Sequence, residues 1–172
     1  EPLMPRAIEG IDSKKAVACT DILLGKKEAG QKVVIVGGGL VGAEMAYDMG
    51  AEGKEVYLVE ALDDICANDP NGVPFWVRDM LNELLSRNHV EKLMGHRLDR
   101  ITDKGAVVLD KDGNQKEIEA DDVIIAIGFR ARPSICKELN GCGIETFDIV
   151  AGNGIGSITT QIGAAYEITR KL

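Results

Sequence analysis

Aromatic side chains are scarce in this chain: one Trp, three Tyr and three Phe, 4% of its residues. A core must therefore be built from Val, Ile, Leu, Ala and Met. Histidine is scarcer still. His89 and His96 stand alone, with no partner at metal or triad spacing, and both read as structural. The four cysteines, Cys19, Cys66, Cys136 and Cys142, include no Cys-x-x-Cys pair, which excludes a zinc ribbon and a thioredoxin-like redox pair. Read as reduced thiols, they point to the cytoplasm. Positive charge is also lacking. A formal net charge of −8 argues against nucleic acid or an anionic membrane as partner. There is no apolar run of membrane-spanning length and no signal peptide. No Ser–His–Asp arrangement, Walker lysine or metal-ligand cluster occurs. The chain begins at Glu1 in what reads as a loop, as an excised part of a longer polypeptide would.

What is abundant is glycine, 20 residues in 172, clustered at the ends of apolar runs. Residues 1–15 read as an extended lead-in, and residues 16–26 as a short helix ending near Gly25 with Asp21 as a candidate cap. Lys32 to Val36 is a β-branched run ending in three glycines, the pattern of a buried parallel strand. Leu40 to Met49 has helical character, with Ala43 and Ala46 small enough for close packing. Lys54 to Glu60 is a second strand. Val73 to Arg87 carries apolar residues at helical spacing, and Val90 to Met94 is a third strand. Three strand-like runs then follow, His96 to Thr102, Ala106 to Asp110 and Gln115 to Ala120, separated by Asp-Lys-Gly and Lys-Asp-Gly-Asn turns. They stand where a repeating βα pattern would place a helix. Val123 to Ile127 is a further apolar strand running into Gly128. Phe147 to Ala151 reads as a last strand and Thr160 to Leu172 as a closing helix. The expected fold is α/β: a Rossmann-like parallel sheet with helices and an antiparallel three-strand meander. The expected division is a lead-in and short helix over 1–30, a nucleotide-binding domain over 31–146, and a closing segment over 147–172.

The chemistry is concentrated in Gly37-Gly38-Gly39-Leu40-Val41-Gly42. In a Gly-x-Gly-x-x-Gly turn the first glycine leaves the strand sharply, and the second lets a pyrophosphate approach the backbone. The third lets the helix pack against the strand, while the helix N-terminus offers unpaired N–H groups to the phosphates. A strand precedes the turn, a helix follows it, and Glu60 ends the next strand 18 positions after Gly42. An acid there accepts hydrogen bonds from ribose hydroxyls and repels a 2′-phosphate. No basic residue stands among Ala61, Leu62, Asp63 and Asp64, so NADH is expected over NADPH. Glu44 admits two readings: an acid reaching toward the nicotinamide, or an exposed acid near the positive end of the helix. Gly128 is either a bare backbone facing the cofactor or a simple strand-to-loop glycine.

The run Val33 to Glu44, the strand Val56 to Glu60, the meander and the run Val123 to Pro133 together resemble the pyridine nucleotide–disulfide oxidoreductase superfamily. They look in particular like the C-terminal region of the 2-enoate reductase and 2,4-dienoyl-CoA reductase family of NADH:flavin oxidoreductases. In that family a TIM barrel carries FMN and a four-cysteine 4Fe–4S cluster, and an FAD-binding region encloses the NADH domain. The resemblance implies that this chain serves the NADH step, with FAD, FMN and the iron–sulfur cluster held by the rest of the parent polypeptide. Its partners would be the FAD-binding region and the FMN barrel, with self-association open to the separate chain. By matched position it assigns Gly37, Gly39 and Gly42 to the pyrophosphate, Glu60 to the ribose, and Gly128 and Glu44 to the nicotinamide end. Where the family has an Ile-Gly-Asp that contacts FAD, this chain has Ala151-Gly152-Asn153; Asn153 can hydrogen-bond but brings no charge. Two other functions fit the residues: an NADH oxidase or disulfide reductase flavoprotein, and a non-catalytic module binding a nucleotide such as ADP.

Overall fold

The computed structural model describes residues 1–67, 72–149 and 158–171. The chain divides into two compact units, Pro2–Gly128 and a smaller one formed by Glu1 with Phe129–Leu172. The larger unit is built on a parallel sheet. Its strands are β1 (Ala16–Ala18), β2 (Lys32–Val36), β3 (Glu55–Glu60), β4 (Glu91–Met94) and β8 (Asp122–Ile125), in the spatial order β1-β8-β2-β3-β4. β2 pairs with β3 on one side, Val33 opposite Val56, and with β8 on the other, Val34 opposite Val123. The helices α1 (Cys19–Leu23), α2 (Leu40–Ala51) and α3 (Phe75–Arg87) also lie in this unit. β5 (Arg97–Ile101), β6 (Gly105–Leu109) and β7 (Gln115–Glu119) form the antiparallel meander, with a bulge between Leu98 and Arg100.

The alternation of side chains along the strands sorts the core into two layers. Val34, Val36, Val59, Leu93, Val123 and Ile125 face the meander and join Leu98, Ile101, Ala106, Val108 and Ile118 in one buried cluster. Val33, Ile35, Leu58 and Ile124 are also fully or almost fully buried. They point the other way, to the face covered by α2, which packs on β2 and β3. Ala43 and Ala46 of α2 are buried, as their size allows. The unit thus has three layers: helices, parallel sheet and antiparallel sheet. This is the Rossmann-like fold expected, with the meander occupying the place of a crossover helix.

Three local expectations need correction. Residues 16–18 are not helical. They form the edge strand β1, paired with β8, and only the five residues of α1 follow. Asp21 lies in the first turn of α1 and does not cap it; the cap position is Ala18. Phe147 to Ile149 form no strand, and residues 150 and 151 lie outside the described residues. In the smaller unit a helix that the glycine and proline content concealed, α4 (Cys136–Gly141), precedes them. The closing helix is present as α5 (Ile158–Thr169), and none of its residues is buried. No helix among the described residues is long and apolar enough to cross a membrane.

One buried charge ties the lead-in to the sheet. Asp122, at the start of β8, is 6% exposed. Its carboxylate accepts the Gly30 N–H at 2.8 Å and the Lys27 ammonium at 2.5 Å. Beside it, Asp121 accepts the Lys32 N–H at 2.9 Å, which holds its carboxyl below the usual range. Removing Asp122 strands a backbone donor and frees Lys27. Asp122→Ala should lower the unfolding free energy by about 2 kcal/mol, read as a shifted urea midpoint. An unchanged midpoint would show that the pair contributes nothing.

Candidate functional site

At the end of β2 the chain turns at Gly37, whose φ of +109° lies in the region that favours glycine. A Cβ on Gly37 would lie 2.5 Å from the Ala126 carbonyl oxygen, so β8's continuation runs hard against the turn. Gly42 is tighter still: its Cβ would lie 1.9 Å from the Gly37 carbonyl oxygen and 3.4 Å from the Ala126 Cβ. The third glycine therefore does what the motif requires, letting α2 start against the strand it follows. Gly39 is the opposite case. A Cβ there would meet nothing within 4 Å, so the second glycine borders open space. Gly39 is also the N-cap of α2 and no side chain caps it. The first intrahelical bond runs from the Ala43 N–H to the Gly39 carbonyl, at 2.9 Å. The N–H groups from Gly39 to Gly42 therefore belong to the orphan donors of a helix N-terminus. Open space beside such donors fits a pyrophosphate.

Glu60 adjoins this turn. Its Oε2 accepts the Gly38 N–H at 2.6 Å and its Oε1 accepts the Leu62 N–H at 2.8 Å. A Cβ on Gly38 would lie 2.9 Å from the Glu60 Cβ, which explains a glycine at the middle position. The Gly38 carbonyl in turn accepts the Cys66 N–H at 2.8 Å, while the neighbouring Ile65 is fully buried. Gly38 is thus held from both sides, by the end of β3 and by the loop after it. In the sequence, residues 61–72 read as a polar loop rich in Asp and Asn, which gives no sign of this clamp; the apolar Ile65 beside two aspartates is the one hint.

Gly128 follows β8 with φ +113°, and its carbonyl accepts the Leu3 N–H at 2.9 Å. Glu60, the glycine turn and Gly128 therefore sit at the carboxyl ends of three adjacent strands, β3, β2 and β8. The sequence-expected residues Gly37 to Gly42, Glu60 and Gly128 share this edge. Glu44 lies one turn into α2 and is exposed; among the described residues it makes no ion pair. Asn153 lies outside the described residues. Next to Glu60, a cavity of about 210 Å³ opens between Ala61 and the start of the meander. Asp110 lines it, and the Asn114 amide and N–H hold its carboxyl below the usual range.

A glycine turn between a central parallel strand and a helix, with an acid ending the adjacent strand, is the site of the Rossmann-like nucleotide-binding class. The chain belongs to the pyridine nucleotide-disulphide oxidoreductase family, whose model matches residues 3–151. It is 34% identical over 167 residues to cinnamate reductase of Clostridium sporogenes, covering 96% of this chain and 24% of that protein. It is 28% identical over 173 residues to NADH oxidase of Thermoanaerobacter brockii, covering 98% of this chain and 26% of that protein. The solved structure of 2-naphthoyl-CoA reductase with 2-naphthoyl-CoA is similar with a TM-score of 0.68 and 31% identity, over 74% of this chain and 19% of that one. The chain thus spans about a quarter of the length of the curated relatives it matches. Its relatives include a cinnamate reductase, a 2-naphthoyl-CoA reductase and NADH oxidases, and with the family match this makes it an oxidoreductase domain of flavoprotein kind.

The glycines separate fold from binding. Gly42→Ala must move α2 off Gly37 and should cost about 1–3 kcal/mol of stability. Gly39→Val places its side chain in open space and should leave the melting curve nearly unchanged while abolishing NADH binding. Thermal melts and calorimetry on both variants check this. A Gly39→Val chain that binds NADH normally would move the phosphates elsewhere.

Proposed function

We propose that this chain is the NADH-binding domain of a multidomain flavin-dependent oxidoreductase that reduces an activated C=C bond. The observation that carries the reading is the shared strand edge. The open face of Gly39 and the orphan N–H groups of α2 suit the pyrophosphate, the Glu60 carboxylate suits the adenosine ribose, and Gly128 suits the nicotinamide end. Bound there, NADH supplies a hydride to FAD held by another part of the parent polypeptide. The work of this chain's own residues is to hold and orient. The turn fixes the phosphates, Glu60 sets the distance to one end of the cofactor, and the small residue at Gly128 leaves the other end accessible.

The choice of a C=C reductase rests on the likeness to cinnamate reductase, which extends over nearly the whole chain. By the family resemblance the parent carries FMN and a 4Fe–4S cluster in a separate barrel, and the four cysteines, read as reduced thiols, suit the cytoplasm. The FAD-binding region and the barrel are then this domain's partners. The NADH oxidase of T. brockii, matched over 98% of this chain, favours a second reading in which the flavin passes its electrons to dioxygen. Both readings give this domain the same task.

Transfer between nicotinamide and flavin needs the two rings held within about 3–3.5 Å of each other. This chain offers one glycine turn of the dinucleotide kind, so it holds one of the two. The purified chain should be colourless and bind NADH without oxidising it when cinnamate is added. Its visible spectrum and the absorbance of NADH over time are the measurements. Stoichiometric flavin absorbance, or rapid cinnamate-dependent loss of NADH, would contradict the assignment of flavin and substrate sites to other domains.

A further inference from the structure

The cavity beside Glu60 has no role in holding NADH as described above, yet it is fastened to the ribose acid by backbone bonds. The His96 N–H donates to the Glu60 carbonyl at 2.9 Å, and the Gly95 N–H donates to the Leu62 carbonyl at 2.8 Å. Ala61, the residue after Glu60, forms part of its wall, and the basic residues Arg97 and Lys111 line it as well. Both cations come from the antiparallel sheet, Arg97 as the first residue of β5 and Lys111 from the turn after β6. The Lys111 stem passes over Gly95, where a Cβ would lie 3.0 Å from the Lys111 Cε.

The charges facing these cations are weakly opposed. Among the described residues no carboxylate pairs with Arg97. Lys111 pairs with Asp63, whose side chain is 82% exposed, and an exposed pair of that kind is readily exchanged for another anion. The acid in the wall, Asp110, is occupied by the N–H groups of Asp112 and Asn114 and by the Asn114 amide. The His96 Nδ1 lies 2.8 Å from the Met94 carbonyl oxygen, which can only accept, so Nδ1 carries the proton. Sequence reading places no basic residue in the four positions after Glu60; the fold supplies them from 37 and 51 positions further on.

We propose that this chain rejects NADPH through Glu60 alone, and that the cavity holding Arg97 and Lys111 is a latent site for a 2′-phosphate. The proposal rests on the dinucleotide reading above. Ala61, the residue after Glu60, is also in the cavity wall, so on this proposal the 2′ position of a ribose whose diol meets Glu60 turns toward the cavity. A phosphate there is repelled by the fixed carboxylate of Glu60 while two cations stand ready to hold it, Arg97 with the planar fork that suits phosphate oxygens. Neutralising the acid is then sufficient to admit the phosphate, with no basic residue added. Glu60→Gln is the suitable change because its amide oxygen can still accept one of the two N–H groups that hold the turn.

The test is calorimetric titration with NADH and with NADPH. The unchanged chain should prefer NADH by about tenfold or more, and Glu60→Gln should raise the NADPH affinity by about tenfold. Adding Arg97→Ala and Lys111→Ala to Glu60→Gln should remove that gain. Should Glu60→Gln fail to fold, the Arg97→Ala/Lys111→Ala chain with Glu60 intact still decides the matter. Its NADPH affinity should fall several-fold more than its NADH affinity. A Glu60→Gln chain that binds NADH but gains nothing for NADPH overturns the proposal, as does a gain that survives loss of both cations. Binding of neither cofactor by the folded, unchanged chain overturns the dinucleotide reading itself and this proposal with it.

Discussion

A Cβ on Gly42 would sit 1.9 Å from the Gly37 carbonyl oxygen, and the geometry of the whole strand edge depends on that closeness. It brings the N-terminus of α2 against the end of β2, so that the orphan N–H groups of the helix open where the strand stops. It also leaves Gly39 outward, facing space rather than packing. Gly38, between them, is held by Glu60 on its N–H and by Cys66 on its carbonyl. A turn of six residues is thereby fixed at both ends and in the middle before any ligand arrives. Such preorganisation reduces the ordering cost that binding must otherwise meet.

The second consequence belongs to the sheet. β2 lies between β3 and β8, so the two strands flanking the turn come from distant parts of the sequence. Glu60 and Gly128 are 68 positions apart, Glu60 ending β3 and Gly128 following β8, the two strands that flank β2. The stretch between them is used by α3, β4 and the antiparallel sheet. Because that sheet takes the layer a helix would occupy, its turns reach the same edge as Glu60. Arg97 and Lys111 are carried there by this choice of crossover.

Much of this was legible in the sequence, for identifiable reasons. Lys32 to Val36 is a continuous β-branched run closed by glycine, and the strand spans those residues. The meander was legible because its turns carry glycine at the tips, as Gly113 with φ +85° illustrates. The lead-in was less so. Ala16 to Ala18 is too short and too plain to announce a strand, and becomes one only because β8 offers a free edge. The loop after β3 reads as polar because Asp63 and Asp64 dominate it, while Ile65, whose side chain is fully buried, is easily passed over. The roles of Gly37 and Gly42 were open to sequence reasoning because they follow from backbone geometry that the motif implies. The clamp on Gly38 and the basic wall beside Ala61 were not, since each depends on residues brought together by tertiary contact.

On the proposed reading a dinucleotide lies along the ends of β3, β2 and β8. Amide spectra of the ¹⁵N-labelled chain titrated with NADH test it most directly, because each N–H group reports its own environment. Shifts should concentrate at Gly39, Leu40, Val41 and Gly42, with further shifts at Ala61 and Gly128. The Gly38 amide, already held by Glu60, should move less than that of Gly39. Saturable shifts confined to another surface, such as the one lined by Lys32, Tyr57 and Lys116, would contradict it.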